Sequence, residues 1–417
     1  MALSPNFFPM DLVSEILSAL PVKSILRFRC VNKYCDNFVS DPNFVKLHLK
    51  RSAARNPQFI LMADHYLHIP GESPYGSDYD YDVDEAFIPY SLCSLIDNPS
   101  FSLEIDPYYL VKNLNYRIIG SCNGLICLEG NSITREYYEC WFRLWNPATK
   151  TTSPKFGFLR LFVNTLADDG YYQFNFGFDD STGTYKVVAS CYNKRELKSK
   201  VKILTFCDSV WRDIGSFPVD PLNLGSVLES GVYLKSTINW FAIQNKLRYN
   251  YKDITAEQCF ITSLDLRTET CNKYLLPRDF KEVPPSEPIV SVLGGYLCFS
   301  YRNEEPYFVI WKMEKFGAED SWAQFFKISY HNLQIDYDYS DKYIKYHFQL
   351  KPLFLSKDGD SLILTSSLKS QEIIYSWRDN RVEQIEIDAS RTINDDTTMY
   401  NARCTEKDYF ESLVSVL

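Results

Sequence analysis

The chain has 417 residues, 45% apolar and 23% charged, the proportions of a soluble, well-cored protein with room for two or three domains or one large repeat domain. Its formal charge of −9 gives no overall basic field, which disfavours binding along a nucleic-acid backbone. No run approaches the roughly 20 apolar residues of a membrane span, and Met1 to Leu20 lacks the basic start and unbroken apolar core of a signal peptide.

The first elements are helical. Leu12, Val13, Ile16, Leu17 and Leu20 follow the helical spacing, and Pro21 ends that helix because it lacks an N–H and crowds the preceding turn. A second helix over 22–31 carries Ile25, Leu26, Phe28 and Val31 on its apolar side. Asp41-Pro42 reads as an N-cap followed by proline at the first helical position, opening a last helix through Phe44, Val45, Leu47 and Leu49. Three short helices or slightly more make a bundle too small to bury its own apolar rows, which predicts a face meant for another protein. Lys23, Arg27, Arg29, Lys33, Lys46, Lys50 and Arg51 outnumber Asp11, Glu15, Asp36 and Asp41 in this block. Such a surplus favours an acidic partner, mainly through association rate and orientation.

Beyond it, no Lys or Arg occurs between Arg55 and Lys112, while Asp64, Glu72, Asp78, Asp80, Asp82, Asp84, Glu85, Asp97, Glu104 and Asp106 do. Asp78, Asp80 and Asp82 have the spacing that opens a calcium loop. However, Val83 stands where that loop needs glycine and Pro89 where it needs glutamate, so a solvated acidic loop is the reading.

From about Arg117 the texture is strand-like, in keeping with 30 Tyr and 28 Phe. Hairpins turning on Asn-Gly, Gly-Gly, Asp-Gly or a close substitute (SCNGLICLE at 121, FGFDDSTGTYKVV at 176, GVYLKSTINWF at 231, SVLGGYLCFSY at 291, LFLSKDGDSLILT at 353) alternate with hairpins of a second kind. The second kind turns near residues 147, 208, 267, 317 and 379, so one unit of 50 to 62 residues holds two hairpins, or four strands. Four strands per repeat is what a β-propeller blade requires. Five units are visible, and residues 58–110, with 404–417, are the candidate for a sixth that closes the ring.

These residues resemble a known family. LVSEILSALPVKSILRFRCVNK followed by SDPNFVKLHLKRS is similar to the plant F-box motif, and SCNGLICL, WNPATK, FGFDDSTGTYKVV, IWKMEKFGAEDSW and LFLSKDGDSLIL resemble the kelch-like F-box-associated domain of the same proteins. The resemblance implies an F-box over 5–52, a linker, acidic loop and closing blade over 53–116, and a β-propeller-like domain of about six blades over 117–417. The expected fold is mainly β with a small N-terminal α bundle.

Proteins of this kind are substrate-recognition subunits of SCF-type ubiquitin ligases. The F-box binds the Skp-family adaptor, which links to a cullin and a RING subunit, while the second domain holds a protein substrate. By position, the resemblance makes Pro9, Leu12, Ile16, Leu17, Leu20, Pro21, Val22, Leu26, Phe28 and Val31 the adaptor-facing residues. Where the family carries Ser-Trp, this chain has Tyr34-Cys35. A large packing group is therefore missing unless Tyr34 substitutes for it.

Catalytic readings are weaker. Gly120-Ser121-Cys122-Asn123-Gly124 fits a nucleophile-elbow pattern, but LICLE after it reads as a strand and Asn-Gly as a hairpin turn. The five His (48, 65, 68, 331, 347) sit in no metal-ligand spacing. No cofactor or metal is expected, nor a nucleic-acid or membrane partner. The 12 Cys are scattered, many inside apolar runs, which points to reduced thiols in the cytoplasm or nucleus. Tyrosines in YGSDYDYD and IDYDYSDKYIKYHF are candidate recognition surface. The alternatives are a propeller-based hydrolase and a non-degradative F-box regulator.

Overall fold

A computed structural model of the chain describes residues 9–55, 58–67, 83–91, 110–111, 116–162, 172–193, 196, 198–206, 208, 210–222, 231–246, 248–303, 307–335, 344, 346, 348–367, 371–386 and 398–416. Four helices come first: α1 (Met10–Leu17), α2 (Val22–Arg29), α3 (Lys33–Val39) and α4 (Pro42–Arg55). Asp41 caps α4, its Oδ1 accepting from the N–H groups of Asn43 and Phe44 at 2.8 and 3.2 Å. The sequence pattern did not separate α3 from its neighbours. Asn32 makes the separation, accepting the Cys35 N–H at 2.9 Å from an extended backbone.

Six antiparallel sheets follow. The first contains β1 (Gln58–Leu67), β2 (Val83–Ser91) and β3 (Leu110–Val111), and on the other side of β1 it is completed by a strand from the far end of the chain, β25 (Thr398–Tyr409). The second holds β4 (Tyr116–Cys122), β5 (Leu125–Ile133), β6 (Tyr137–Asn146) and β7 (Thr151–Thr152), with β8 (Phe156–Phe162) also paired to β6.

The third has β9 (Gln173–Asp179), β10 (Thr184–Asn193), β11 (Lys198–Thr205) and β12 (Arg212–Gly215). The fourth has β13 (Val232–Leu234), β14 (Thr237–Ile243), β15 (Cys259–Asp265) and β16 (Thr270–Leu275). The fifth is β17 (Ile289–Leu293) to β20 (Trp322–Ser329), through β18 (Tyr296–Arg302) and β19 (Tyr307–Met313). The sixth is β21 (Leu350–Leu355), β22 (Ser361–Ser366), β23 (Gln371–Ser376) and β24 (Arg381–Glu386).

The turns explain why these strands pair as neighbours. Asn123-Gly124, Lys235-Ser236 and Gly294-Gly295 all have positive φ at both positions, the two-residue turn whose twist matches paired strands. A second device recurs in four-residue turns. Asn146, Asp179 and Asp265 each end a strand and accept backbone N–H groups two or three residues on, and Lys150, Gly183 and Glu269 supply the positive φ that closes the turn.

Packing divides the chain into two compact units. One contains the helices, the first sheet and most of the second; the other contains the third to sixth sheets. Within the latter, each apolar core lies between successive sheets. Val188, Ile203, Trp240 and Leu264 join the third to the fourth, Phe241, Ile261, Phe299 and Trp311 the fourth to the fifth, and Cys298, Ile310, Leu362 and Ile373 the fifth to the sixth. In the former unit, Tyr409 of β25 packs with Ile118, Ile126, Leu128 and Trp145 of the second sheet.

A buried ion network ties the third sheet to the fourth. Lys186 Nζ lies 2.9 Å from Asp179 Oδ2 and 3.0 Å from Glu269 Oε1, and donates to the Leu266 carbonyl at 2.5 Å. Arg212 grips the same Glu269 through two bonds of 2.7 Å. Burial pushes the Asp179 carboxyl up, but hydrogen bonds from Ser181, Lys186 and Thr182 outweigh it and hold it well below its ordinary 3.8. The Arg212 guanidinium, joined by Lys186, likewise holds Glu269 below its ordinary 4.5.

Both carboxyls have lower pKa values folded than unfolded, so their stabilisation is complete above the ordinary values and drains away as pH falls through the folded ones. Removing Lys186 takes the cation from the fully buried Asp179 carboxylate, while Glu269 keeps Arg212. Lys186→Met is therefore expected to cost about 3–5 kcal/mol in denaturant unfolding at pH 7, with the difference from wild type narrowing in acid. A loss below about 1 kcal/mol at pH 7 would show the network to be dispensable.

Candidate partner interface

The helical bundle closes around Leu17, Ile25, Val39 and Phe44, with Val13, Leu20, Phe28, Phe38 and Leu413 packed against them. The Phe38 and Phe44 rings meet at a tilt of 46°, their centroids 4.8 Å apart. Polar links lock α4 to α1: Arg51 donates to the Glu15 carbonyl at 2.8 Å and to Ser18 Oγ at 2.7 Å, and its guanidinium pairs with the Glu15 carboxylate. His48, fully buried, bonds through Nε2 to the Leu20 carbonyl at 3.0 Å just past α1. That histidine serves the packing.

What remains outside is apolar. Leu12 and Ile16, one turn apart on α1, are 51% and 62% exposed, and Val31 before α3 is 66% exposed. Met10 and Tyr34 are exposed as well, and the Tyr34 hydroxyl meets Met10 Sδ at 2.8 Å, bringing the starts of α1 and α3 together. Five exposed large apolar side chains on a block of this size form the kind of patch that marks a protein-binding surface.

The ten residues expected to face the adaptor divide into three groups. Pro9, Leu12, Ile16, Pro21 and Val31 are exposed, and Leu20, Leu26 and Phe28 are half-buried. Leu17 and Val22, at 7% and 0% exposure, point into the interior, because the apolar stripe of a short amphipathic helix is shared between its own core and its outer face. Met10 and Tyr34 were not among the ten. Tyr34 does not fill the space of the family tryptophan. The buried position falls to Cys35, a much smaller group, while Tyr34 turns outward.

Of the seven basic groups in the block, Arg29 is engaged by Asp36 at 2.8 Å and Arg51 by Glu15, which leaves Lys23, Arg27, Lys33, Lys46 and Lys50 at the surface. The remaining candidates do not assemble. Cys122 ends β4 at a two-residue turn leading directly into β5, so no nucleophile elbow exists there. Among the described residues no group of three His, Cys, Asp or Glu could hold a metal, and no helix is long and apolar enough to cross a membrane. The segment Glu72–Asp82 and Tyr337, Tyr339 and Tyr343 lie outside the described residues.

The family profile of the F-box associated beta propeller domain matches residues 98–349, more than half of the chain. The chain belongs to this family. It is a plant-type F-box protein with an F-box-associated domain, and its Arabidopsis thaliana relatives agree. F-box/kelch-repeat protein At3g23880 is 26% identical over 340 residues, covering 78% of this chain and 80% of the relative. F-box protein CPR1 is 22% identical over 380 residues (85% and 79%), and F-box protein At5g10340 is 26% identical over 440 residues (99% and 85%).

The division of the helical face into core and surface can be measured. Leu17→Ala in the F-box protein should destabilise the bundle by about 2–5 kcal/mol, read as faster hydrogen exchange across α1 to α4. Its neighbour Ile16→Ala should change stability by no more than about 0.5 kcal/mol. Equal effects would show that the two side chains are not on opposite faces.

Proposed function

We propose that this F-box protein is the substrate-recognition subunit of an SCF-type ubiquitin ligase. Its helices bind a Skp-family adaptor, and through it a cullin and RING subunit, while its sheets bind a protein substrate for ubiquitination. The observation that carries the reading is the exposed row Met10, Leu12, Ile16, Val31 and Tyr34 on a bundle that precedes an F-box-associated domain. Each aliphatic group removed from water is worth roughly 1.5–3 kcal/mol, and association consumes much of the sum, so a few anchors dominate.

In this reading the chain works by proximity. Two interfaces on one chain raise the effective concentration of a target lysine near the charged conjugating enzyme, with the acyl transfer performed elsewhere. The thiols suit a non-catalytic role: burial pushes Cys259 and Cys298 up to about 12 and Cys271 to about 11, away from the thiolate form. Free, buried cysteines such as Cys127 and Cys259 also support placement in the reducing cytoplasm or nucleus.

Capture of the full chain on immobilised Skp-type adaptor tests the proposal. Wild type should be retained, and Leu12→Asp combined with Ile16→Asp should lose at least tenfold in affinity while keeping its thermal unfolding profile, because both side chains are already in water. Undiminished capture of that double variant would place the interface elsewhere.

A further inference from the structure

Helix α2 begins with an unmet need. Its N-cap position is Pro21, which offers no side-chain acceptor, so the first amide of the helix, that of Val22, depends on a group from outside. The acceptor is Glu411 Oε2, 3.0 Å away and 389 residues along the chain. A carboxylate at a helix N-terminus is also favoured by the helix dipole. Two residues on, Leu413 packs on the core of the helical bundle.

The intervening residues face the second sheet. Asn146, fully buried at the end of β6, donates from Nδ2 to the carbonyls of Ser412 and Val414 at 3.0 and 2.8 Å. The Ala148 N–H donates to the hydroxyl of Tyr409 at 3.1 Å. On the neighbouring turn, a Cβ added at Gly124 would lie 2.3 Å from Ser412 Cβ and 2.6 Å from the Phe410 carbonyl oxygen, so the segment passes where only glycine leaves room. Successive residues thus alternate: Glu411 and Leu413 hold the helices, while Ser412 and Val414 are held by the sheet.

We propose that residues 410–416 are a positioning strap that fixes the F-box helices on the first two sheets, with Glu411 and Asn146 as its opposite anchors. Building on the ligase reading above, the strap keeps a target held by the sheets at a constant attitude to the adaptor-bound machinery. Neither anchor belongs to the adaptor-facing surface. The strap therefore governs where ubiquitin can be delivered and leaves adaptor affinity alone.

Asn146→Asp separates the strap from its surroundings. It keeps the Oδ1 acceptor that Ala148 and Thr149 use within the turn, and it replaces the donor with an oxygen facing two carbonyls. In the full chain, Asn146→Asp and Glu411→Ala should each raise hydrogen exchange at Val22 at least fivefold, although Asn146 touches no helix.

Thr149→Ala, in the same turn but removing a hydroxyl that bonds to Thr151 Oγ1, should leave that exchange within twofold of wild type. Adaptor capture should stay within twofold for all three. In a ligase reconstituted with adaptor, cullin, RING subunit and charged conjugating enzyme, self-ubiquitination should spread from a restricted set of lysines to a broad one in the two anchor variants. Unchanged exchange at Val22 in Asn146→Asp, or an equal rise in Thr149→Ala, would overturn the strap. Failure of wild type to bind adaptor would instead remove the ligase reading and leave the exchange result standing.

Discussion

The fourth sheet carries apolar side chains on both of its faces, so it is stable only with a neighbour on each side. β14 shows the constraint in its purest form: all seven residues from Thr237 to Ile243 are buried. Trp240 and Ile238 pack toward the third sheet while Phe241 and Ile243 pack toward the fifth. Even the ion network of Lys186, Asp179, Glu269 and Arg212 obeys this arrangement, since it spans two sheets. A paired, desolvated charge cluster adds little net stability against an apolar equivalent.

This constraint also decides how much of the fold could be read from the sequence. Turn chemistry is local, and so Asn123-Gly124 and Gly294-Gly295 announced their hairpins without any knowledge of the third dimension. Lys235-Ser236 adopts the same backbone with poorer residues and was legible only because flanking strands repeated on schedule. The pairing of β25 with β1 was legible only as a candidate, 58–110 with 404–417, since hundreds of residues separate the partners and periodicity does not say which edge a strand will join. The Lys186 network was illegible for the same reason: its members come from two repeats and meet only when the sheets stack.

The interface was legible as a set and not as a surface. Helical spacing correctly picks out the apolar residues of α1 and α2, yet a bundle of four short helices must use some of them internally. Leu17 and Val22 are in the core, while Leu12 and Ile16 are exposed. The exchange at Tyr34-Cys35 follows the same logic. The buried position holds the small thiol of Cys35, and the larger Tyr34 lies exposed with its hydroxyl on Met10.

One long-range contact did leave a local trace. At the starts of α3 and α4, Asn32 and Asp41 provide their own acceptors, whereas Pro9 before α1 and Pro21 before α2 provide none. Proline suits the start of a helix by its fixed φ but cannot satisfy the amide that follows. A helix whose opening amide is buried and whose cap residue is silent must borrow an acceptor from elsewhere in the chain. Val22 is such an amide, and the missing cap at Pro21 is therefore a statement, made within two residues, that the helical block was never meant to stand alone. The carboxylate of Glu411 answers it, and the segment that carries it is held in turn by Asn146 of the second sheet.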